Sequence, residues 1–249
     1  MTIDFWAKTN GTWINAISVI LGTTGGVLLK YRLPLRMQRI ITQGVALITL
    51  FIGFQMAGSL LQVKNSRVDG VVLGLLAIII GGLLGEWWQI EERLYSVGEF
   101  LKARFQKSGY FTEGFVAGSL LFCVGPMALI GSLNNGLTGN NTLLMLKSAM
   151  DGITSIALGS SFGIGVGFSS LVILVYQGCV SLLAGFLVQS LPDPTHDPHL
   201  LLITGVGGLT IVGLGCKLLE VSQVRVASFL PALIIAPLLY FLLAFIGIS

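Results

Sequence analysis

Charged side chains are scarce in this sequence. Asp, Glu, Lys and Arg make up 10% of its 249 residues, whereas hydrophobic residues make up 54%. Soluble domains carry about 25% charged residues. So few charges cannot cover a water-facing surface, and the mean hydropathy of +0.89 agrees with this. The composition excludes an ordinary soluble domain and predicts an all-α integral membrane protein with lipid as its solvent.

Cysteine and histidine are too few and too poorly spaced for a disulfide framework or a metal centre. Cys123, Cys179 and Cys216 all stand inside apolar segments, and an odd number argues against structural disulfides. They also lack metal-ligand spacing. Both His196 and His199 fall in one predicted outer loop, which we interpret as a plain exposed loop rather than a metal site. With no His-Glu metal motif and no serine beside a positioned base, we expect neither an enzyme nor a cofactor.

The first residues lack the pattern of a secretory signal. Residues 1–8 contain no basic stretch followed by an apolar core and a small-residue cleavage site. We therefore expect no cleavable signal peptide, and we expect the first apolar segment to remain as a membrane span.

Eight segments approach the length of about 20 mostly apolar residues that a transmembrane helix needs. Loop chemistry separates several of them, at Leu33-Pro34, Lys64-Asn65-Ser66, Asn134-Asn135-Gly136 and Pro192-Asp193-Pro194. The predicted spans are 12–30, 40–62, 70–88, 114–133, 143–166, 168–190, 200–219 and 227–247.

Basic residues are distributed unevenly among the predicted loops. Ten of the 14 Lys and Arg residues fall in odd-numbered loops, while the other side has only Lys8, Lys64 and Arg67. Cytoplasmic loops carry the excess of Lys and Arg. The odd-numbered loops are therefore predicted to be cytoplasmic and both termini extracytoplasmic.

The third loop is the only sizeable one, and its apolar residues recur every three or four positions. This spacing predicts an amphipathic helix over about 87–107, lying on the cytoplasmic face of the membrane. Trp87 and Trp88 are typical of an interfacial anchor. We interpret the segment as a solvated cap, with a regulatory element as the alternative.

The two halves of the chain resemble each other. Gly22-Thr23-Thr24 aligns with Gly159-Ser160-Ser161, and Gln43-Gly44 aligns with Gln177-Gly178 at a similar offset. Polar residues are scarce here, so these matches carry most of the weight.

The alignment predicts two four-helix repeats, residues 1–135 and 136–249. An even number of spans returns the chain to the same side, so the repeats would be parallel and related by an axis along the membrane normal. The same alignment sets Asn15 within one residue of Asp151.

Lys147 and Asp151 stand inside the fifth predicted span. A spacing of four residues puts both charges on one face of a helix. Charges at membrane depth cost roughly 2.5–3.5 kcal/mol each, so chains that carry them usually use them. A structural ion pair is the alternative, although desolvation offsets much of its attraction. We interpret Asp151 as a coupling or coordinating carboxylate and Lys147 as its releasable partner.

Other polar residues at matching depths extend the predicted binding site. Its predicted lining is Asn15, Thr23, Thr24, Ser160, Ser161, Gln43 and Gln177. The glycine-rich runs 22–26 and 159–165 either unwind the helices locally or let them pack closely. For Gln43 and for Gln177, the two alternatives are contact with a solute and a hydrogen bond between helices. Gly125 and Pro126 predict a kink that serves either as a hinge or as a packing feature.

Several runs of the chain carry a family resemblance. They are Gly11–Asn15, Gly85–Leu94, Phe115–Ser132, Gly136–Gly139, Lys147–Gly152 and Tyr176–Gly178. In these runs the chain resembles the bacterial integral-membrane family catalogued as the domain of unknown function DUF554, with YdfK-like and YqgA-like members. The resemblance covers nearly the whole chain, although the family more often has Asp where Gln89 stands. It implies a bacterial inner-membrane location and brings no established activity.

The leading hypothesis is a small secondary transporter or channel-like permease of the bacterial inner membrane, moving an ion or small solute. The alternative is a non-transporting accessory or sensor protein with a structural polar core, in which the amphipathic third loop is the working part. The expected partners are the lipid bilayer and a small solute or ion, with no nucleic acid. Abundant small-residue faces also favour a homodimer.

Overall fold

The computed structural model describes residues 4–30, 34–63, 68–105, 110–187 and 197–245. All regular structure in these ranges is helical, and none of them contains a strand. The predicted turns at 64–66 and 192–194, together with His196, lie outside the described residues. The helices are α1 (Phe5–Lys30), α2 (Leu35–Ala57), α3 (Gly70–Trp87), α4 (Ile90–Phe105), α5 (Phe111–Cys123), α6 (Pro126–Thr138), α7 (Thr142–Phe162), α8 (Gly165–Leu187), α9 (Pro198–Leu218) and α10 (Ala232–Phe245), with short 3-10 helices at Gly58–Gln62 and Val226–Phe229.

Within the described ranges, six helices are long and apolar enough to cross a membrane. They are Phe5–Leu29, Arg36–Gln62, Gly70–Trp87, Gly165–Ala184, Pro198–Leu218 and Val226–Leu243. The bent pair of α5 and α6 makes seven if it counts as one span. The 21-residue α7 has the length of a span but is less apolar, because it carries Lys147, Asp151 and several serines. The structure is therefore all-helical, as predicted, and its apolar helices are those of an integral membrane protein.

The chain divides into two compact units. The first comprises Met1–Val45 and Tyr95–Pro192, and the second comprises Ala46–Leu94 and Asp193–Ser249. Both units are therefore built from two separate stretches of chain.

In the first unit, α1 and α7 pack against each other through glycines. A Cβ on Gly22 would lie 2.1 Å from the Ser155 hydroxyl and 2.2 Å from the Gly152 carbonyl oxygen, and one on Gly26 would lie 2.2 Å from the Ile156 carbonyl oxygen. Residues that come later in α1 contact residues that come later in α7, so the two helices run parallel. Helix α1 is continuous through residues 22–26, so of the two interpretations of this glycine-rich run, local unwinding does not occur there. The glycines instead let the helices pack closely.

Helix α8 turns back directly from α7 and lies antiparallel to α1. Only Gly163 and Ile164 separate the two helices, and Gly163 has a φ of 86°, which favours glycine. The glycine-rich run after Gly159 therefore stays helical to Phe162 and breaks only at this tight turn. Thr23 near the end of α1 contacts Gly167 near the start of α8.

The predicted kink at Gly125 and Pro126 is a complete break. Helix α5 ends at Cys123, Gly125 has a φ of 153°, and Pro126 begins α6, where its missing N–H costs nothing. The two helices meet at an angle of 61°.

Helices α5 and α6 follow α8 in the same direction along its length. Gly118 of α5 packs on Ser169, and the Ser181 hydroxyl donates to the Ser132 carbonyl of α6 at 2.9 Å. The predicted turn at residues 134–136 is wrong, because α6 continues through them to Thr138 and ends at Gly139, whose φ is 72°.

In the second unit, two antiparallel helix pairs surround an apolar core. Helix α2 meets α9 where Gly53 packs on Val212, and α3 meets α10 where a Cβ on Gly81 would lie 2.4 Å from the Ala232 nitrogen. The buried core residues are Leu60, Val63, Leu73, Ala77, Leu202, Val206, Ala232 and Ala236.

An ionic cluster of the second unit joins the end of α3 and the start of α4 to the connection between α9 and α10. The buried Glu91 accepts from the Lys217 ammonium and from the Ala227 backbone N–H, each at 2.8 Å. Arg225 pairs with both Glu86 and Glu92. The Gly85–Leu94 run therefore has a structural role through its glutamates, whereas Trp87 within it is 78% exposed.

The amphipathic helix predicted over about 87–107 is present as α4. Its later residues belong to the first unit, where the Thr112 hydroxyl donates to the Glu99 carboxylate at 2.5 Å. This hydrogen bond, assisted by Lys102, lowers the pKa of the exposed Glu99 below its ordinary value.

Candidate functional site

Three helices of the first unit bring polar side chains together at their midpoints. Asn15 is the eleventh of the 26 residues of α1, Asp151 the tenth of 21 in α7, and Gln177 the thirteenth of 23 in α8. Each of these side chains therefore stands near the middle of its helix.

Helix α7 has a polar face that is buried in the protein and an apolar face that is exposed, as expected for a helix in lipid. Lys147, Asp151 and Ser155 face inward and are buried, while Met150 and Ile153 are exposed on the opposite side. The polar face therefore points into the protein, where partners on α1 and α8 can satisfy it.

The Lys147 ammonium binds both carboxylate oxygens of Asp151. Its Nζ lies 2.9 Å from Oδ1 and 2.7 Å from Oδ2, and each residue is only 7% exposed. The short spacing is the one-turn contact expected for residues four apart. Together the two groups carry no net charge, which limits the cost of burying them.

Two amides complete the cluster. The Asn15 Nδ2 donates to Asp151 Oδ2 at 3.0 Å and reaches Gln177 Oε1 at 3.4 Å. Both amide side chains are fully buried. The structure therefore gathers four of the predicted site residues in one cluster: Lys147 and Asn15 contact the Asp151 carboxylate, and Gln177 joins it through Asn15.

Four buried polar atoms have no hydrogen-bond partner within the described part of the chain. They are Thr12 Oγ1, Asn15 Oδ1, Thr23 Oγ1 and Gln177 Nε2. An unsatisfied buried polar group costs about 1–3 kcal/mol, so native proteins carry few of them. All four belong to α1 or α8. From Thr12 to Thr23 they extend over about 16 Å of helix, at 1.5 Å per residue.

An apolar cluster interrupts this row. Val19, between Asn15 and Thr23 on α1, packs with Phe122, Leu158 and Ile173, and all four are fully buried. The polar cluster around Asp151 is thereby separated from the polar residues nearer the α7–α8 turn.

Beyond the apolar cluster lies a groove of about 400 Å³ between α1 and the start of α8. Thr23, Thr24, Gly167 and Ser170 contribute to its lining, which is otherwise mainly apolar. The Thr24 hydroxyl is exposed and donates to the carbonyl of Ile20 in its own helix at 2.8 Å.

The break between α5 and α6 adjoins the buried apolar cluster. Cys123, the last residue of α5, is buried and belongs to that cluster together with Val19 of α1 and Leu158 of α7. At a helix break the last carbonyls of one helix and the first N–H groups of the next lack intrahelical partners. Gly125 and Pro126, the predicted hinge, therefore leave such backbone groups next to this cluster.

The other predicted lining residues lie apart from this cluster. Ser160 is buried and donates to the Ala157 carbonyl at 2.7 Å. Ser161 lies 2.5 Å from the Thr42 hydroxyl of α2. Gln43, the repeat counterpart of Gln177, is exposed on α2.

Asn135 and Thr12 are buried polar residues of this unit that the sequence did not single out as site residues. Asn135 of α6 accepts from the Gly11 backbone N–H at 3.1 Å and donates to the Ala7 carbonyl at 2.8 Å, which fixes the start of α1. A polar residue in an otherwise apolar segment could have pointed to Asn135, but the sequence Asn134-Asn135-Gly136 is typical of a turn. Thr12 gave no signal beyond its spacing of three from Asn15.

Among the residues that the structure describes, no three His, Cys, Asp or Glu side chains are grouped to hold a metal ion. His199 was predicted in an exposed loop, but it lies in the first turn of α9. There its Nδ1 is 3.3 Å from the Pro237 carbonyl oxygen, and its ring packs edge-on against Tyr240.

Comparison with known proteins gives one consistent result. The chain is 30% identical over 238 residues to "Uncharacterized membrane protein YdfK" of Bacillus subtilis (strain 168), covering 96% of this chain and 98% of the relative. It is also 30% identical over 233 residues to "Uncharacterized protein YqgA" of Escherichia coli (strain K12), covering 91% and 94%. No solved structure matches. The model of the DUF554 family, described as "Protein of unknown function (DUF554)", matches residues 10–241, and the chain belongs to this family.

Proposed function

We propose that the protein is a small secondary transporter or channel-like permease of the bacterial inner membrane, moving a small ion or solute through a polar site around Asp151. One observation carries the proposal. A buried ion pair on α7 is joined by two amides that each keep an unpartnered atom, and the next buried cluster along α1 and α7 contains the end of a broken helix. Broken helices around a midplane polar site are a recurring design of secondary transporters.

Helix directions favour eight membrane crossings. The polar α7 runs parallel to α1 from Gly11 to Gly26, so α7 crosses the membrane wherever α1 does. Because α1 and α7 run the same way, an odd number of crossings must separate them. Helices α2 and α3 supply two, and the pair of α5 and α6 supplies the third.

The course of α5 and α6 supports the same count. A re-entrant loop would send α6 back along α5, but both helices advance in one direction along α8, from Ser169 to Ser181. With the pair as one broken span, α8 becomes the sixth crossing, antiparallel to α1. Both termini then lie on the side that has few Lys and Arg residues.

The proposed duplication into residues 1–135 and 136–249 fits this arrangement. Counterparts close to a two-fold axis along the membrane normal contact each other on parallel helices. Asn15 and Asp151, which the repeat alignment pairs, lie 3.0 Å apart on parallel helices. The added charge of Asp151 makes the two halves of the site unequal. We also retain α4 at the cytoplasmic membrane surface and a homodimer as parts of the proposal.

The working step is the release of Lys147 from Asp151. While they are paired, neither charge is available to a solute, and the cluster of Val19, Phe122, Leu158 and Ile173 closes one side of the site. Bending at Gly125 would move α5 relative to α6 and disturb that cluster, because Phe122 and Cys123 belong to it. The exchange of partners at Asp151 would thereby be linked to opening.

A non-transporting accessory or sensor protein is the rival function. In that case the polar cluster would serve only to hold helices together, and its polar atoms would be satisfied by one another. The unpartnered atoms of Asn15 and Gln177 favour the transporter. An intramembrane enzyme has no support from the described residues.

Cysteine labelling tests the crossing arrangement. In a variant whose three native cysteines are replaced by Ala, we expect Asn140→Cys to react with a membrane-impermeant maleimide from the outside only. Tyr110→Cys and Ser222→Cys should react from the cytoplasmic side only. Labelling of Asn140→Cys from the cytoplasmic side would mean that α5 and α6 do not cross.

The same experiment tests whether water reaches the site. Asn15 and Leu158 are both fully buried, but only Asn15 belongs to the polar cluster. Asn15→Cys should react with a small charged methanethiosulfonate from at least one side, whereas Leu158→Cys should not. If both positions stay unreactive, water does not reach the polar cluster, and its role is to hold the helices together, as the rival function requires.

A further inference from the structure

We infer that the site binds an alkali-metal cation, and that this cation competes with the Lys147 ammonium for the Asp151 carboxylate. The inference rests on the proposed function and names its solute or coupling ion. It starts from what Lys147 already does. A primary ammonium held by two carboxylate oxygens at 2.9 and 2.7 Å is a monovalent cation in a site, tethered to the chain by its own side chain.

The atoms around Lys147 Nζ that can coordinate a cation are carboxylate and amide oxygens, which hard cations prefer. Asp151 supplies two, Asn15 carries one that is buried without a partner, and Gln177 Oε1 is 3.4 Å from the Asn15 amide. The hydrogen-bond network points Asn15 Nδ2 at Asp151 while Lys147 is in place. A 180° flip of the Asn15 side-chain amide exchanges the positions of Nδ2 and Oδ1 and directs an oxygen at the Asp151 carboxylate.

Charge balance selects a monovalent ion. Asp151 and Lys147 form a neutral pair, and an alkali cation on Asp151 forms another once the ammonium has left. A divalent ion would leave one uncompensated positive charge in a buried site, which is costly. The cation and the ammonium therefore compete for one carboxylate, which has a single positive partner in either state.

The nearby helix break favours a cation over an anion. Cys123 ends α5 in the apolar cluster that contains Val19, one turn along α1 from Asn15, and the C-terminal carbonyls of a helix carry partial negative charge. Carbonyls at such half-helix ends coordinate cations in discontinuous membrane helices. The Asn15 amide supplies a further oxygen from α1 once it has flipped.

Equilibrium binding in detergent tests the inference without requiring transport. The apparent melting temperature of the purified chain is measured while sodium or potassium chloride replaces N-methyl-D-glucamine chloride at constant ionic strength. Lys147→Met removes the tethered competitor. If the ammonium occupies the carboxylate in nine molecules out of ten or more, the apparent Kd for the better ion should fall about tenfold or more below that of the wild type.

The controls isolate the carboxylate. Lys147→Met combined with Asp151→Asn should lose the response to both ions. Lys102→Met breaks the exposed Lys102–Glu99 pair on α4 and should bind like the wild type. If Lys147→Met responds no more strongly than its Asp151→Asn double variant, the inference is overturned.

A second comparison serves if Lys147→Met does not fold. The wild type should be stabilised by sodium or potassium, and Asn15→Leu, which removes the unpartnered oxygen, should bind that ion about tenfold more weakly. Equal responses of these two proteins overturn the inference. A failure here, with flux still dependent on Asp151, would remove the cation and leave the proposed function standing.

Discussion

Lys147→Met should lower the free energy of unfolding by about 3–5 kcal/mol when no alkali cation is present. The variant keeps the length of the side chain but leaves the Asp151 carboxylate buried without its opposite charge, and breaking a buried pair on one side has costs of this size. For a chain of this length such a loss corresponds to a fall of roughly 10 °C in melting temperature. Fluorescence-detected size-exclusion chromatography after heating measures it.

The double variant separates the pair from the charge left behind. Lys147→Met with Asp151→Leu removes both charges, so it should recover most of the stability, because replacing a buried pair by apolar groups is often neutral. Lys102→Met at the exposed pair on α4 should change stability by less than about 1 kcal/mol. A Lys147→Met protein that melts with the wild type would show that the Asp151 carboxylate is not buried as described.

Gly22→Val should separate α1 from α7 and lower the melting temperature by a similar amount. Its Cβ would lie 2.1 Å from the Ser155 hydroxyl and 2.2 Å from the Gly152 carbonyl oxygen. The carbonyl belongs to backbone and cannot rotate away, so the helices must move apart. Overpacking costs about 1–3 kcal/mol where side chains can adjust, and a backbone clash costs more.

Gly25→Val provides the matched control for this prediction. It lies on the same helix three residues away, and a Cβ there would meet no atom within 4 Å. Both substitutions bring the same change in helix propensity, so their difference isolates the contact with α7. Equal melting temperatures for the two variants would contradict the parallel packing of α1 on α7.

The positions of the spans were predictable, whereas the facing of their polar residues was not. Apolar runs place α3, α7 and α9 within a few residues of prediction, because lipid requires long apolar helices. Gln43 and Gln177 occupy matching places in the repeat, yet one is exposed and the other fully buried. Which face of a helix turns inward depends on its neighbours, and no local pattern in this sequence encoded it.

Local preference also fails to describe two segments that are helical in the structure. The run 22–26 has weak intrinsic helix propensity, but packing against the α7 backbone keeps it helical. Asn135 sits in a turn-like sequence, but its amide binds the start of α1 and the helix continues. In both cases tertiary contacts outweighed local preference. The Lys147–Asp151 pair was predictable because four-residue spacing alone fixes it.

Flux through proteoliposomes tests the central claim most directly, namely that Asp151 is the working group of a transport site. Wild-type protein, Asp151→Asn and Glu99→Gln would be reconstituted and supplied with gradients of radiolabelled sodium, radiolabelled potassium and protons. Glu99 is an exposed carboxylate on α4 and serves as the control. We expect the wild type and Glu99→Gln to move at least one of these ions well above empty liposomes, and Asp151→Asn to fall to the empty-liposome rate. Asp151→Asn moving every ion as fast as the wild type would contradict the account.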